Sequence, residues 1–247
     1  MPGAGIVRAG MDGGAMKGGA PRVVWMTLGA DPQQLSAQSA AERLCQLDRA
    51  PHLVWNPLSG QSVQLVPIIR AACALGAVAG ADQEGSASPA DLFTTGPLAV
   101  PAADDTAEIH NEGRLCVQIA VVGFGWAPFT SGPMTGLAPV LEWLDSWHVQ
   151  RRWPAGRPAP FAHAHTAARS RRLWAYGGYY GASQVPGRKA AGPGAIDVDR
   201  LISLPAKRGT DVPMQRPAAQ RPVAAPLSAM SGLRDGHESA DELARAV

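Results

Sequence analysis

Residues 177–200 read GGYYGASQVPGRKAAGPGAIDVDR. Gly177 and Gly178 mark a turn, Pro186 and Gly187 close a polar loop, and Gly192, Pro193 and Gly194 form a second turn that leads into residues 196–204. Glycine and proline at these offsets restrict the chain to a few tight geometries, so the stretch predicts a rigid, exposed frame of turns ahead of a short closing helix. Loops held by such frames are common carriers of function.

The strongest support is residues 115–122, where Leu115, Val117, Ile119 and Val121 alternate with Cys116, Gln118, Ala120 and Val122, the period of a strand at the middle of a sheet. Residues 23–26 (VVWM), bounded by Pro21 and Gly29, suit a second buried strand. After it, Asp31, Pro32 and Gln34 predict a helix start, with Asp31 as N-cap and Gln34 closing a capping box, for a helix reaching about residue 47. Residues 49–67 read as a hairpin turning through Asn56, Pro57, Ser59 and Gly60, and 68–75 as a short helix packed on it. Leu137, Val140, Leu141, Leu144 and Trp147 recur at helical spacing, with Pro139 confined to the first turn. Strands interleaved with helices predict an α/β domain: a mixed central β-sheet with flanking helices.

The chain has 247 residues, 46% hydrophobic and 17% charged, enough for one core plus tails. The expected organisation is a leader without structure over 1–20, a domain over 21–204 with an inserted loop at 76–110, and a tail over 205–247 too poor in large apolar residues to offset its ordering entropy. Near its end, Ser239 and Glu242 have capping-box spacing, and a protein partner could order that segment. A net charge of +2 does not argue for nucleic acid, and the arginines between 151 and 172 read as a solvated face. Cys45, Cys73 and Cys116 are odd in number and set among apolar neighbours, the pattern of buried thiols rather than a disulfide framework. The N-terminus lacks a signal-peptide run, and no stretch reaches the roughly 18 apolar residues of a membrane span. The expectation is a cytoplasmic protein, with release by another route left open.

Six stretches carry a resemblance: VVWMTLGAD at 23–31, PHLVWNPLSGQSVQLVP at 51–67, CVQIAVVG at 116–123, PFTSGPMTGLAPVLEWLDSW at 128–147, RRWPAGRP at 151–158, and YYGASQVPG at 179–187 with GPGAID at 192–197. In this order they resemble the zinc-dependent N-acetylmuramoyl-L-alanine amidases and peptidoglycan-recognition domains of actinobacteria and their phages, over about residues 22–204. The resemblance implies the mixed-sheet fold of that family. It also implies three zinc ligands and a strand glutamate, which fall on Met26, Ala182, Gly192 and Ala120 respectively. A methyl group, a hydrogen and a thioether are poor or impossible zinc donors, so no zinc cofactor is expected.

The resulting functional expectation is a catalytically inactive amidase-like protein that keeps a cleft for a peptidoglycan fragment or similar glycopeptide. Its candidate cleft residues are His52, Gln118, Trp126, Tyr179, Tyr180, Gln184 and Lys189, polar and aromatic side chains placed on or near loops. Two alternatives stand beside it: an active amidase with an unorthodox site, and a protein-interaction scaffold. His163 and His165 could point the same way on an extended chain, but with no third ligand at suggestive spacing they read as structural or solvent-facing.

Overall fold

A computed structural model describes residues 1–75, 115–160, 170–186 and 192–203. The inserted loop at 76–110, His163, His165, Lys189 and the tail over 205–247 lie outside the described residues.

Among the described residues six strands form one sheet: β1 (Gly5–Ile6), β2 (Arg22–Thr27), β3 (Leu53–Trp55), β4 (Ser62–Gln64), β5 (Val117–Val121) and β6 (Gly178–Gly181), in the order β1-β4-β3-β5-β2-β6. Only the β3–β4 hairpin is antiparallel; β1–β4, β3–β5, β5–β2 and β2–β6 are parallel. The expected α/β architecture with a mixed central sheet is the one the chain adopts. Strands β2, β3 and β5 are buried on both faces, as parallel strands covered by helices must be.

Alternation along β2 divides the core. Val24, Met26 and Leu28 pack with Ala37, Ala40, Ala41 and Leu44 of helix α1 (Ala37–Gln46) on one face. Val23 and Trp25 pack on the other face with Leu137, Val140, Leu141 and Leu144 of helix α2 (Leu137–Ser146), together with Val198 and Leu201 of α4 (Val198–Ile202). A short helix α3 (Arg171–Ala175) precedes β6 and buries Trp174 against the first face. The second face holds an aromatic group in which Trp25 lies 6.3 Å from Trp55, 6.2 Å from Phe129 and 6.1 Å from Tyr179 between ring centroids.

Four expectations need correction. Residues 1–20 are not a leader without structure: Gly5 and Ile6 pair with Val63 and Gln64, and the Val7 and Ala9 N–H groups donate to the carbonyls of Gln64 (3.1 Å) and Leu65 (3.3 Å). The chain then turns back, with Asp12 paired to Arg70 and Met16 N–H bonded to the Ile69 carbonyl. Helix α1 starts later than expected, with Ser36 as its N-cap accepting from Ser39 N–H. Asp31 instead closes a tight turn, its Oδ1 accepting from Gln33 N–H at 2.8 Å, because Asn56 Nδ2 donates to the carbonyls of Pro32 and Leu35 and holds 31–35 outside the helix. Residues 68–75 form turns and an isolated bridge, Ala15 to Arg70, rather than a helix. Finally, the frame at 178–186 is buried rather than exposed, since β6 is a sheet strand and the turn after it tucks beneath Pro193.

Candidate functional site at the carboxyl ends of β2 and β5

The chain leaves β2 toward α1 on one face of the sheet and leaves the adjacent parallel strand β5 toward α2 on the other. Two neighbouring parallel strands whose connections part to opposite faces leave a crevice outside their carboxyl ends, the usual ligand position in open α/β sheets. Such a crevice is present here. Gly29, Ala30, Asp31, Gln34 and Leu35 line one wall and Phe124 the other, around an open groove of about 460 Å³.

Its walls are held by the sheet. Strand pairing runs on past β2, with Leu28 N–H bonded to the Val121 carbonyl (3.0 Å) and Gly29 N–H to the Gly123 carbonyl (2.9 Å). Beyond Gly123 the rings of Phe124 and Trp126 stack, 4.8 Å between centroids and 24° between planes, and Trp126 is 77% exposed. The GPG turn clamps this aromatic loop from behind. Gly194 has φ +85°, and a Cβ there would lie 1.8 Å from the Gly125 carbonyl oxygen, so only glycine allows the two backbones to meet.

The positions that the resemblance assigns to metal chemistry gather beside this crevice. Met26 and Ala120 are directly paired across β2 and β5. Trp25 pairs with Gly181, which places Ala182 one residue further along, and Ser183 N–H donates to the Gly192 carbonyl at 2.9 Å. A Cβ at Gly192 would lie 3.3 Å from Thr27 Oγ1, at the end of β2. Met26, Ala120 and Ala182 are all but fully buried in one apolar cluster with Val24, Leu28 and Leu44. These residues do not fit zinc: a thioether sulfur is the only side-chain heteroatom they offer. Among the described residues, no three His, Cys, Asp or Glu side chains come together.

Most residues expected to line a cleft serve the interior instead. His52 is fully buried; its Nδ1 accepts from Gln118 N–H (3.0 Å), which leaves Nε2–H to donate to the Arg70 carbonyl (2.8 Å), and burial pushes its pKa down to about 4. The Gln118 side chain accepts from Leu75 N–H and donates to the Ala72 carbonyl. Gln184 accepts from Trp153 Nε1 (2.7 Å) and Gly181 N–H (3.0 Å) and donates to the Gly156 carbonyl (2.8 Å). Tyr180 donates its hydroxyl to the Leu173 carbonyl at 2.5 Å, and burial raises its pKa to about 12. Tyr179 is buried in the aromatic group; burial raises its pKa, and among the described residues its hydroxyl has no hydrogen-bond partner. Trp126 alone of the described candidates stands at the surface by the crevice. Sequence reasoning missed Phe124 and the wall 29–35, having assigned Asp31 and Gln34 to a helix cap. The available signal was a glycine-rich segment after each of two strands, Gly29 after one and Gly123 and Gly125 after the other.

Comparison of the chain with protein-family models, with curated proteins and with solved structures finds no match. Among the described residues, no helix is long and apolar enough to cross a membrane.

Proposed function

We propose that this chain is an amidase-like domain of the peptidoglycan-recognition kind that has no catalytic centre and acts as a binding module for a peptidoglycan fragment or similar glycopeptide. The observation that carries this reading is the meeting of Met26, Ala120, Ala182 and Gly192 at the end of β2, where the resemblance requires metal ligands and a glutamate. Amide hydrolysis in the family uses a metal to polarise the carbonyl and activate water, with a carboxylate to move protons. The residues at these positions supply neither function. An open crevice beside them, with an exposed aromatic ring at its rim, supports retention of a ligand without its cleavage. A fold alone argues no function, so the reading rests on this site.

The test is co-sedimentation with insoluble peptidoglycan, coupled to detection of released stem peptides. The expected result is retention in the pellet with no release. Release of free stem peptide, or no retention at all, overturns the proposal.

A further inference from the structure

We infer that the crevice lined by Gly29, Ala30, Asp31, Gln34, Leu35 and Phe124 is itself the ligand site, and that it takes the glycan part of the ligand, a saccharide stretch presenting hydroxyl or ammonium donors, with any carboxylate of the ligand left outside the groove. This inference rests on the binding reading above and deepens it by locating the site and its charge preference.

The groove's hydrogen-bonding capacity sets the preference. Five backbone N–H groups along its wall are already spent: Gly29 and Ala30 donate to the Gly123 carbonyl, Gln33 to Asp31 Oδ1, and Gln34 and Leu35 to the Asp31 carbonyl. Anion sites are built from clustered free N–H groups or cationic side chains. Among the described residues lining this groove, Asp31 is the only ionisable one, and it is negative. A phosphate or carboxylate therefore meets the Asp31 charge with no cation in the lining and none of these five N–H groups to offset it. A peptide strand added edge-on is disfavoured for the same reason, since backbone recognition needs open donors. Polyol and amino-sugar ligands are matched instead: their donors can reach the Asp31 carboxylate and the Gln34 amide.

The aromatic rim sets the shape. Phe124 lines the groove together with Asp31, and the exposed Trp126 stacks on its ring, so an apolar aromatic pair adjoins the acceptors. A pyranose offers one face of C–H groups to such a surface while its equatorial hydroxyls point sideways toward the acceptors. The platform does not depend on an induced movement, because Gly194 braces Gly125 between the two rings.

The experiment titrates the full chain, by amide NMR shifts, with three β-linked or α-linked trisaccharides: an N-acetylglucosamine trimer, a glucosamine trimer and a galacturonic acid trimer. The neutral and cationic trimers are expected to bind and to shift the amides of Gly29, Ala30, Phe124 and Trp126, and the anionic trimer to give no shift. Trp126→Ala should weaken both by about tenfold, the loss of roughly 1.4 kcal/mol of aromatic contact. The Asp31 carboxylate should favour the cationic trimer over the neutral one, and Asp31→Asn should remove that difference while leaving the neutral trimer within about threefold, since the charge is half-buried and only modestly coupled. No shift with any trimer, preference for the anionic one, or unchanged affinity in Trp126→Ala overturns the inference. If peptidoglycan sedimentation is undiminished in Trp126→Ala and the trimers shift none of the groove amides, the groove is wrong while the binding reading stands. If the trimers bind at the groove but peptidoglycan is not retained, the binding reading falls and the groove remains a saccharide site.

Discussion

Lowering the pH should unlock His52 before it disturbs most of the sheet. This imidazole is fully buried between β3 and β5, neutral, with Nδ1 accepting from Gln118 and Nε2 donating to Arg70. Protonation would put a hydrogen on the nitrogen that must accept, and would bury a charge, which is why its pKa falls to about 4. A group depressed in the folded state binds more protons when unfolded. Its contribution to stability is therefore complete above the unfolded value near 6.5 and is lost as the pH falls through the folded value. At about 1.36 kcal/mol per pKa unit, the displacement from 6.5 to about 4 is worth roughly 3 kcal/mol, of which about 2.5 kcal/mol should be gone by pH 4.5. The assay is urea unfolding of the parent chain and His52→Gln at pH 7 and pH 4.5, with the difference between pH values compared rather than the absolute stabilities. Carboxylates titrate in both proteins and cancel. The parent should lose about 2.5 kcal/mol more than the variant across this range. Equal losses, or an imidazole that titrates near 6.5 by NMR in the folded protein, would refute the reasoning.

Further outcomes follow from the same geometry. Gly194→Ala, which combines a left-handed φ with a Cβ 1.8 Å from Gly125 oxygen, should cost more than about 3 kcal/mol by thermal or urea unfolding; a loss below about 1 kcal/mol would mean that the two loops do not meet. Met26→Ala should destabilise by about 2–5 kcal/mol, as for other fully buried large-to-small changes; near-neutrality would place Met26 at an open site. The amides of Val7, Ala9, Gly13 and Met16 should be protected from hydrogen exchange because they donate to the carbonyls of Gln64, Leu65, Ala71 and Ile69, and free exchange at all of them would undock residues 7–16 from that segment.

What could be read from the sequence was local in origin. Strand β5 announces itself by an apolar run with β-branched Val117, Ile119 and Val121 at every second position, α2 by apolar residues at three- and four-residue steps, and the β3–β4 hairpin by Asn56, whose Oδ1 accepts from the Leu58 and Ser59 N–H groups to close the turn. What escaped depends on distant partners. Strand β1 is two residues long, pairs in parallel with a segment near residue 63, and sits among glycines with no alternation to reveal it. The start of α1 is decided between two competent caps, Asp31 and Ser36, by the reach of Asn56 from another loop. The polar residues offered as cleft lining illustrate the same limit. His52, Gln118 and Gln184 look available in a linear reading, yet the loops at the sheet's ends leave backbone groups that need partners, and these side chains provide them. The grouping of Met26, Ala120, Ala182 and Gly192 was reached through family resemblance, because parallel register between strands nearly 100 residues apart leaves no periodic trace.

Zinc content of the purified full chain tests most directly the proposal that Met26, Ala120, Ala182 and Gly192 hold no metal. Protein prepared in zinc-supplemented medium and dialysed without chelator should carry only substoichiometric metal, and added zinc should leave its unfolding midpoint unchanged, since binding to the folded state alone would raise it. One zinc retained per chain, removed by chelator with loss of thermal stability and restored on adding the metal back, would contradict the assignment of Met26, Ala120, Ala182 and Gly192 to a metal-free core.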